Sequence, residues 1–556
     1  MSSAKSGAAA AASTTTTGWP CAKRSNSASR TSRGARRRLS ELRPPWLARS
    51  VGTSAAASGS SAARMNPTRI FGAFGAAQGW IWPPNTRERM PASPKLATCS
   101  RVHPRLRPLS ARPSAAGVAL ELRSLKDNAD VVKAHVAARG GSDDAIESVD
   151  AIVELNTKRA SLQKDRDAAL ATRKKLSGTI GKAIKNGEDV DALKAQVAEA
   201  GATADAASEQ MDSIETEALT LLEALPNVLS DVTPDGRDES DNVVLREWGT
   251  DQRKVGDDYQ WHDELAEGLS GYDPEAASRV AGARFAVLKG GVARLERALA
   301  NFFLDAHAAN GYEEVSSPLL VSRSALRGTG QLPKFEDDLF RVANHGVRGE
   351  DAFLIPTSEV PLTNFWRGET LQEKDLPIRM VAHTPCFRAE AGSYGRDTRG
   401  LIRQHQFGKV ELVKIVAPEH ADAEADALLG DAEALLQALE LPYRAVQLCA
   451  GDVGFSAQRC VDLEVWLPGQ QEYREVSSCS LMGDFQARRM NLRYKPAPSP
   501  EDKKPRPRFP CTMNGSGLAV GRALVAVLEN HQNADGSVNV PSVLRPYLQG
   551  LEVLGK

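Results

Sequence analysis

Residues 387–400 read FRAEAGSYGRDTRG, an arginine and a glutamate one residue apart followed by three glycines strewn with further arginines. Glycine and guanidinium are groups that handle phosphate. Yet the stretch is neither a G-x-G-x-x-G dinucleotide loop nor a G-x-x-x-x-G-K-[ST] P-loop. Its flanks are apolar and β-branched, HTPCF before it and FGKVELVKI after it. The segment from His383 to Ile415 is therefore expected as strand, long loop, strand. A hairpin places its glycines away from any helix N-terminus, so they do not form the anion nest of a strand-to-helix turn.

Around this hairpin lies an α+β region expected from about residue 275 to Lys556. A long helix, about 281–309, precedes GYEEVSSPLLV (311–321), which reads as a strand ending in Pro318. Then come IPTSEVPLTN (355–364), the hairpin, YREVSSCS (473–480), and NGSGLAVGRALVAVLENHQ (514–532), a glycine-rich entry into an apolar helix carrying Arg522. The loop SLMGDFQARRM after EVSS is expected to be flexible. Glu411, in KVELVKI, could by itself be an edge-strand gatekeeper, and NGSG by itself a turn.

Upstream, one short helix is expected before Gly140 and Gly141, and then a long helical segment from 143 to about 183. Leu155, Leu162, Ala169 and Leu176 recur every seven residues. After the turn signal KNGED (185–189) a second run begins. There Leu193, Val197, Ala200, Ala204, Ala207, Met211, Ile214, Ala218, Leu221 and Leu225 alternate spacings of four and three. Two heptad helices joined by a tight turn make an antiparallel coiled-coil arm, about 60 Å long at 1.5 Å per residue. Arg159, Arg166 and Arg173 repeat along the first leg, a candidate footprint for a polyanion such as RNA. Residues 118–228 thus read as the arm, 229–274 as a linker of turn residues, and 275–556 as the domain holding the chemistry.

The first 120 residues carry nineteen Lys and Arg against two acids, while the whole chain is neutral. The rest is correspondingly acidic. An Arg-rich, Ser-rich, acid-poor leader, here 1–117, has the composition of a transit peptide for chloroplast or mitochondrion. No apolar run approaches the roughly 20 residues of a membrane span, so no membrane insertion is expected. The seven cysteines show no C-x-x-C pairing, which argues against structural zinc and a disulfide scaffold.

Taken in order, these stretches resemble the class II aminoacyl-tRNA synthetases. The long helix with its strand and proline is similar to motif 1, the FRAE hairpin to motif 2, and GLAVGRALVAVLE to motif 3. Within that class TSE (357–359), the hairpin, KVE (409–411), EVSS (475–478) and NGSG (514–517) resemble the bacterial-type seryl-tRNA synthetase family from about residue 118 to 556.

The resemblance implies an antiparallel sheet flanked by helices, and activation of L-serine with ATP to seryl-adenylate. Transfer to the 3′ end of tRNA(Ser) follows, with tRNA(Sec) left open as a second acceptor. It implies Arg388 on the α-phosphate, Arg522 on the γ-phosphate, and Glu475 and Ser478 as Mg²⁺ ligands. Arg388, Glu475 and Arg522 are the implied catalytic set. Thr357, Glu359, Glu411, Asn514 and Ser516 are the implied serine site. Ala389, Glu390, Phe407, Val476, Ser477 and Ser478 complete the ATP site, with Glu390 accepting from the adenine amino group and Phe407 stacking on the base. The arm arginines are implied to hold tRNA, and motif 1 implies a homodimer. Two alternatives remain at this level. One is another class II synthetase, disfavoured because only about 24 residues follow Gln532. The other is a catalytically inactive, synthetase-like RNA-binding protein, whose signature would be loss of Arg388, Glu475 or Arg522.

Overall fold

A computed structural model describes residues 112–114, 117–391 and 399–555. The leader expected to serve in targeting lies almost wholly outside the described residues, as does the glycine-rich tip of the hairpin at 392–398. Among the described residues no helix is long and apolar enough to cross a membrane.

Helix α1 (Leu122–Ala138) is followed by α2 (Asp143–Asn186) and α3 (Asp191–Ala224). Ser142 caps α2 by accepting from the Ala145 N–H, and Asp143 and Asp144 face the positive end of the helix dipole. The helix stops at Gly187, whose φ of 73° is left-handed, and the chain turns back. The heptad positions meet as expected. Ala204, Ala207, Met211, Ile214 and Ala218 are buried, with Leu155, Leu162, Ala169 and Leu176 half-buried opposite. The legs are 44 and 34 residues long. At the root, Leu125, Val132, Val149, Ile152, Leu225 and Val228 form a small core.

The large sheet and the helices beside it comprise, in chain order, β1 (Val243–Trp248), α4 (His262–Gly268), α5 (Pro274–Ala281), α6 (Gly290–Ala309) and β2 (Glu313–Glu314). Then come α7 (Arg323–Thr329), α8 (Glu359–Asn364), β3 (Ile378–Phe387), β4 (Gln406–Val416), α9 (Ala421–Ala438) and β5 (Tyr443–Gln447). They are followed by β6 (Arg459–Leu467), β7 (Glu472–Gly483), α10 (Phe485–Met490), β8 (Cys511–Ala519) and α11 (Val520–Asn530). The eight strands form one sheet in the order β1-β5-β6-β7-β8-β4-β3-β2. Every pairing is antiparallel except that of β2 with β3. The α+β expectation holds, and the quoted hairpin is β3 and β4. Leu295 and Phe303 of α6, Leu428 and Leu435 of α9, and Leu524 and Leu528 of α11 cover one face of the sheet with the main core.

Several local expectations are corrected. Residues 229–274 are not a linker: β1 is the edge strand on β5, about two hundred residues away in sequence, a partner no local pattern announces. In α4, His262 Nδ1 lies 2.8 Å from Glu529 Oε1 of α11, both fully buried. The helix expected from 281 begins only at Gly290. GYEEVSSPLLV divides at Pro318, which cannot donate to a ladder. Glu313–Glu314 joins the large sheet, while Leu320–Ser322 joins a three-stranded sheet with Arg341–Val347 and Glu350–Leu354. SLMGDFQARRM is no flexible loop: it completes β7 and forms α10. NGSG lies in strand β8 rather than in a turn. Its glycines provide space: a Cβ on Gly515 would come within 2.5 Å of Leu428, and one on Gly517 within 2.3 Å of the His307 ring.

Candidate active site

Strand β4 alternates. Val410 and Leu412 enter the main core, so Phe407, Lys409 and Glu411 share the opposite face. Glu411, fully buried on a central strand, is therefore no edge gatekeeper. Register on β8 places Ser516 opposite Glu411, and Asn514 Nδ2 donates to Glu411 Oε1 at 2.8 Å. Lys409 pairs with Glu411 and donates to Thr357 Oγ1 at 3.0 Å. Glu359, at the start of α8, accepts from Gln486 Nε2 of α10 at 2.6 Å. Burial first, and Glu411 second, push its carboxyl up to about 7. This end of the cleft holds two buried carboxylates and one lysine, an environment that favours a second cation.

The other end is cationic. Arg388 follows β3 directly. Its backbone N–H donates to the His405 carbonyl at 2.9 Å, and its guanidinium lies 5.3 Å over the Phe407 ring. Arg522, in the first turn of α11, donates through Nη1 to Glu475 Oε2 at 3.2 Å and to the Glu475 carbonyl at 2.8 Å. A bulge in β7 pairs Ser477 with Leu463 and Glu475 with Glu464, passing over Val476. That extra residue brings Glu475 to the same side as Ser478. Burial alone would raise the Glu475 carboxyl, but Arg522 and then Arg388 outweigh it and hold it below its usual range.

One cleft of about 230 Å³ is lined by Thr357, Glu359, Arg388, Glu390, Phe407, Glu411, Glu475, Val476, Ser478, Asn514, Ser516 and Arg522. Those are twelve of the expected serine, ATP and metal residues. Two do not line it. The Ser477 hydroxyl turns away to donate to the Ser516 carbonyl at 2.6 Å, and the Ala389 N–H donates to the Asp338 carbonyl at 2.9 Å. The arm arginines sit elsewhere, on α2. Arg159 pairs across the arm with Glu215 at 3.8 Å, Arg166 with Asp167 at 2.9 Å, and Arg173 is exposed.

Sequence reasoning missed Lys409, Arg403 and Gln486. Strand alternation with Glu411 could have found Lys409, since they stand two apart in KVE. Arg403, whose Nη1 lies 3.0 Å from Glu390 Oε2, meets it across the loop of the same hairpin, and Gln486 reaches Glu359 from a distant element; no local pattern marks either contact. Glu475 and Ser478 offer a carboxylate and a hydroxyl, the hard oxygen donors Mg²⁺ takes when phosphates and water supply the rest. The pair fits that ion because Glu475 is held ionised. Among the described residues no cluster of three or more His, Cys, Asp or Glu forms a cage for a metal.

Two family models match the chain: the seryl-tRNA synthetase N-terminal domain over residues 120–229, and the tRNA synthetase class II core domain (G, H, P, S and T) over 340–531. The chain is 49% identical over 438 residues to the serine–tRNA ligase of Hydrogenovibrio crunogenus, covering 78% of this chain and 100% of that one. The serine–tRNA ligase of Laribacter hongkongensis is also 49% identical over 438 residues, covering 78% and 99%. Among solved structures, the Pyrococcus horikoshii seryl-tRNA synthetase complexed with ATP superposes with a TM-score of 0.72 at 35% identity, over 78% of this chain and 99% of that one. The cytoplasmic serine–tRNA ligase of Naegleria fowleri in complex with AMP gives 0.67 at 27%, over 77% and 96%.

Proposed function

The chain belongs to the seryl-tRNA synthetase family, and from that premise we propose how its own residues carry out the ligase reaction. It activates serine with ATP and transfers the seryl group to tRNA. In the first step the serine carboxylate attacks the α-phosphorus in line, the bond to pyrophosphate breaks, and seryl-adenylate forms. Charge accumulates on phosphate oxygens, so the protein contributes position and electrostatic stabilisation rather than a nucleophile. Arg388 grips the α-phosphate and Arg522 the γ-phosphate, each through two N–H groups as lysine cannot. Phe407 and Glu390 seat the adenine. Glu359 and Glu411 take the substrate ammonium, while Thr357, Asn514 and Ser516 surround its hydroxyl. Mg²⁺, held by Glu475 and Ser478, would neutralise phosphate charge. In the second step the terminal ribose hydroxyl of tRNA attacks the acyl carbonyl and AMP leaves.

The observation that carries this reading is the adjacency, in one cleft, of the cationic end at Arg388 and Arg522 and the buried acidic pocket at Glu359 and Glu411. Buried polar groups waiting for a hydroxyl favour serine over alanine. Further parts of the proposal are recognition of tRNA(Ser) by the arm, a homodimer built on the motif 1 region, and work in chloroplast or mitochondrion after import. Serine-dependent exchange of pyrophosphate into ATP by the purified chain tests the core of it. No exchange above background would overturn the enzyme reading, and sedimentation would show a monomer if the dimer is wrong.

A further inference from the structure

His262 and Glu529 form a fully buried pair that no step of the proposed reaction uses. Glu529 stands about two turns beyond Arg522 on α11, so both project from one side of that helix. Its Oε1 accepts from the His262 backbone N–H at 3.1 Å and lies 2.8 Å from the ring Nδ1, while Oε2 accepts from the Gly469 N–H at 2.8 Å. With two backbone donors already on it, the carboxylate is an acceptor here, and Nδ1 carries the ring proton. Nε2 is then a bare lone pair, and the Leu401 N–H donates to it at 3.1 Å. The imidazole is thus a neutral spacer of fixed tautomer, set between α11 and the returning limb of the hairpin.

That limb leads straight to the phosphate end of the cleft. Ile402, the next residue, lines the cleft, and its carbonyl accepts from Arg522 Nε at 3.3 Å. The ties close into a ring: Arg522 to Ile402, Leu401 to His262, His262 to Glu529, and the helix back to Arg522. Gly400 leaves room for it, at a φ of 63°, since a Cβ there would run into the His262 ring. Outside the ring, Arg399 braces the limb to α4, donating to Asp263 Oδ2 and Glu264 Oε1 at 2.7 Å each and lying 4.2 Å over the Trp261 ring.

We infer that His262 is a positioning residue for Arg522: it pins residues 401 and 402 against α11, and the Ile402 carbonyl in turn aims the Arg522 guanidinium at the γ-phosphate of ATP. The inference rests on the reading that places Arg522 there. The Glu475 contact by itself leaves the side chain free to turn about one end. A second tie at Nε fixes the plane of the fork, on which a grip through two N–H groups depends. Misplacing such a group by about 1 Å costs up to about 10²-fold.

Affinities of the full-length chain for ATP and for AMP, which lacks the γ-phosphate, read this directly, with Arg522→Ala as the reference. His262→Asn keeps a donor near the Nδ1 position and removes the partner of Leu401. It should weaken ATP by about tenfold, leave AMP within about twofold, and lower serine-dependent exchange to match. His262→Gln, whose carbonyl oxygen reaches the Nε2 position, should restore most of the ATP affinity. Gly400→Ala pushes the limb off the ring without altering α4 and should repeat the Asn pattern, so the test does not depend on one variant folding. Transfer from preformed seryl-adenylate to tRNA, a step without the γ-phosphate, should stay near wild type in these variants. Equal loss of ATP and AMP affinity, no loss of either, or a fall in transfer as large as that in exchange overturns the inference and leaves a histidine that only packs. An unchanged ATP-to-AMP ratio in Arg522→Ala overturns the placing of Arg522 on the γ-phosphate and the inference with it. Absence of exchange in the wild-type chain overturns the aminoacylation reading, while the affinity ratio still decides the inference.

Discussion

Glu359, proposed to take the substrate ammonium, would tie recognition to stability in one residue. Its folded value of about 7 lies above the ordinary 4.5. Between those values the folded protein holds a proton that the unfolded chain has released. The group's contribution to stability is therefore complete below about 4.5, falls as pH rises, and is lost above about 7. Under the proposed role of Glu359 binding works the other way, because only the ionised carboxylate would attract the serine ammonium. In exchange assays kcat/KM for serine should fall about tenfold per unit as pH drops below about 7, and Glu359→Gln should lose both the pH step and most of the affinity. By melting, that variant should exceed wild type by a few degrees at about pH 8 and little at about pH 5; a lower Tm at the higher pH would contradict the assignment. Arg388 and Arg522 invite a sharper test, since each is proposed to grip phosphate through two N–H groups. Arg388→Lys should reduce kcat in exchange by about 10²-fold with the fold intact, and an effect confined to the KM for ATP would place Arg388 in ground-state binding only.

At the scale of elements, what was legible in the sequence was whatever repeats or alternates locally. The arm announced itself through heptads from Leu155 to Leu176 and from Leu193 to Leu225, and the hairpin through apolar runs on either side of the glycines. Long-range pairing stayed hidden: β1 beside β5, the two halves of GYEEVSSPLLV in different sheets, and NGSG as strand because α6 and α9 leave no room for a Cβ. Most of the site could be placed through motif order. Lys409 lay within reach of strand alternation, but the Glu390–Arg403 pair and Gln486 beneath Glu359 required the packed structure. The arm's layout also decides how to test it. Its root core uses Val149, Ile152 and Leu225, so excision should begin beyond it. Removing 160–213 with a short Gly-Ser bridge should leave serine-dependent exchange near wild type and reduce charging of tRNA(Ser) by at least about 10²-fold; undiminished charging would remove the arm from tRNA recognition. Within the stripe, charge reversal at Arg173, which is exposed, should weaken tRNA binding more than Arg159→Ala, because Arg159 already answers Glu215.

For the molecule as a whole, the boundary between leader and folded body has consequences. The leader was expected to run to residue 117, yet Arg112 is already docked, its side chain 7% exposed, with Nη1 2.7 Å from Asp235 Oδ1 and Nη2 donating to Thr233 O at 2.8 Å. Ser114 Oγ donates to Asp231 Oδ2 at 2.6 Å. The His135 ring joins both sides, with Nε2 3.0 Å from the Pro113 carbonyl and Nδ1 accepting from the Leu229 N–H at 2.9 Å. Burial lowers that ring's pKa, so it stays neutral and keeps an acceptor for Leu229. A chain begun at Val118 would lose the Arg112 contacts to Thr233 and Asp235 and the Pro113 partner of the His135 ring, at about 0.5–1.5 kcal/mol for each net hydrogen bond. It should melt several degrees below a chain begun near residue 100, and Arg112→Ala in the longer chain should reproduce part of that loss. Equal melting of all three would mean the 112–114 contacts contribute nothing. If the leader is removed on import, the same contacts require the cut to fall before Arg112, and N-terminal sequencing of the processed protein would find a first residue no later than that.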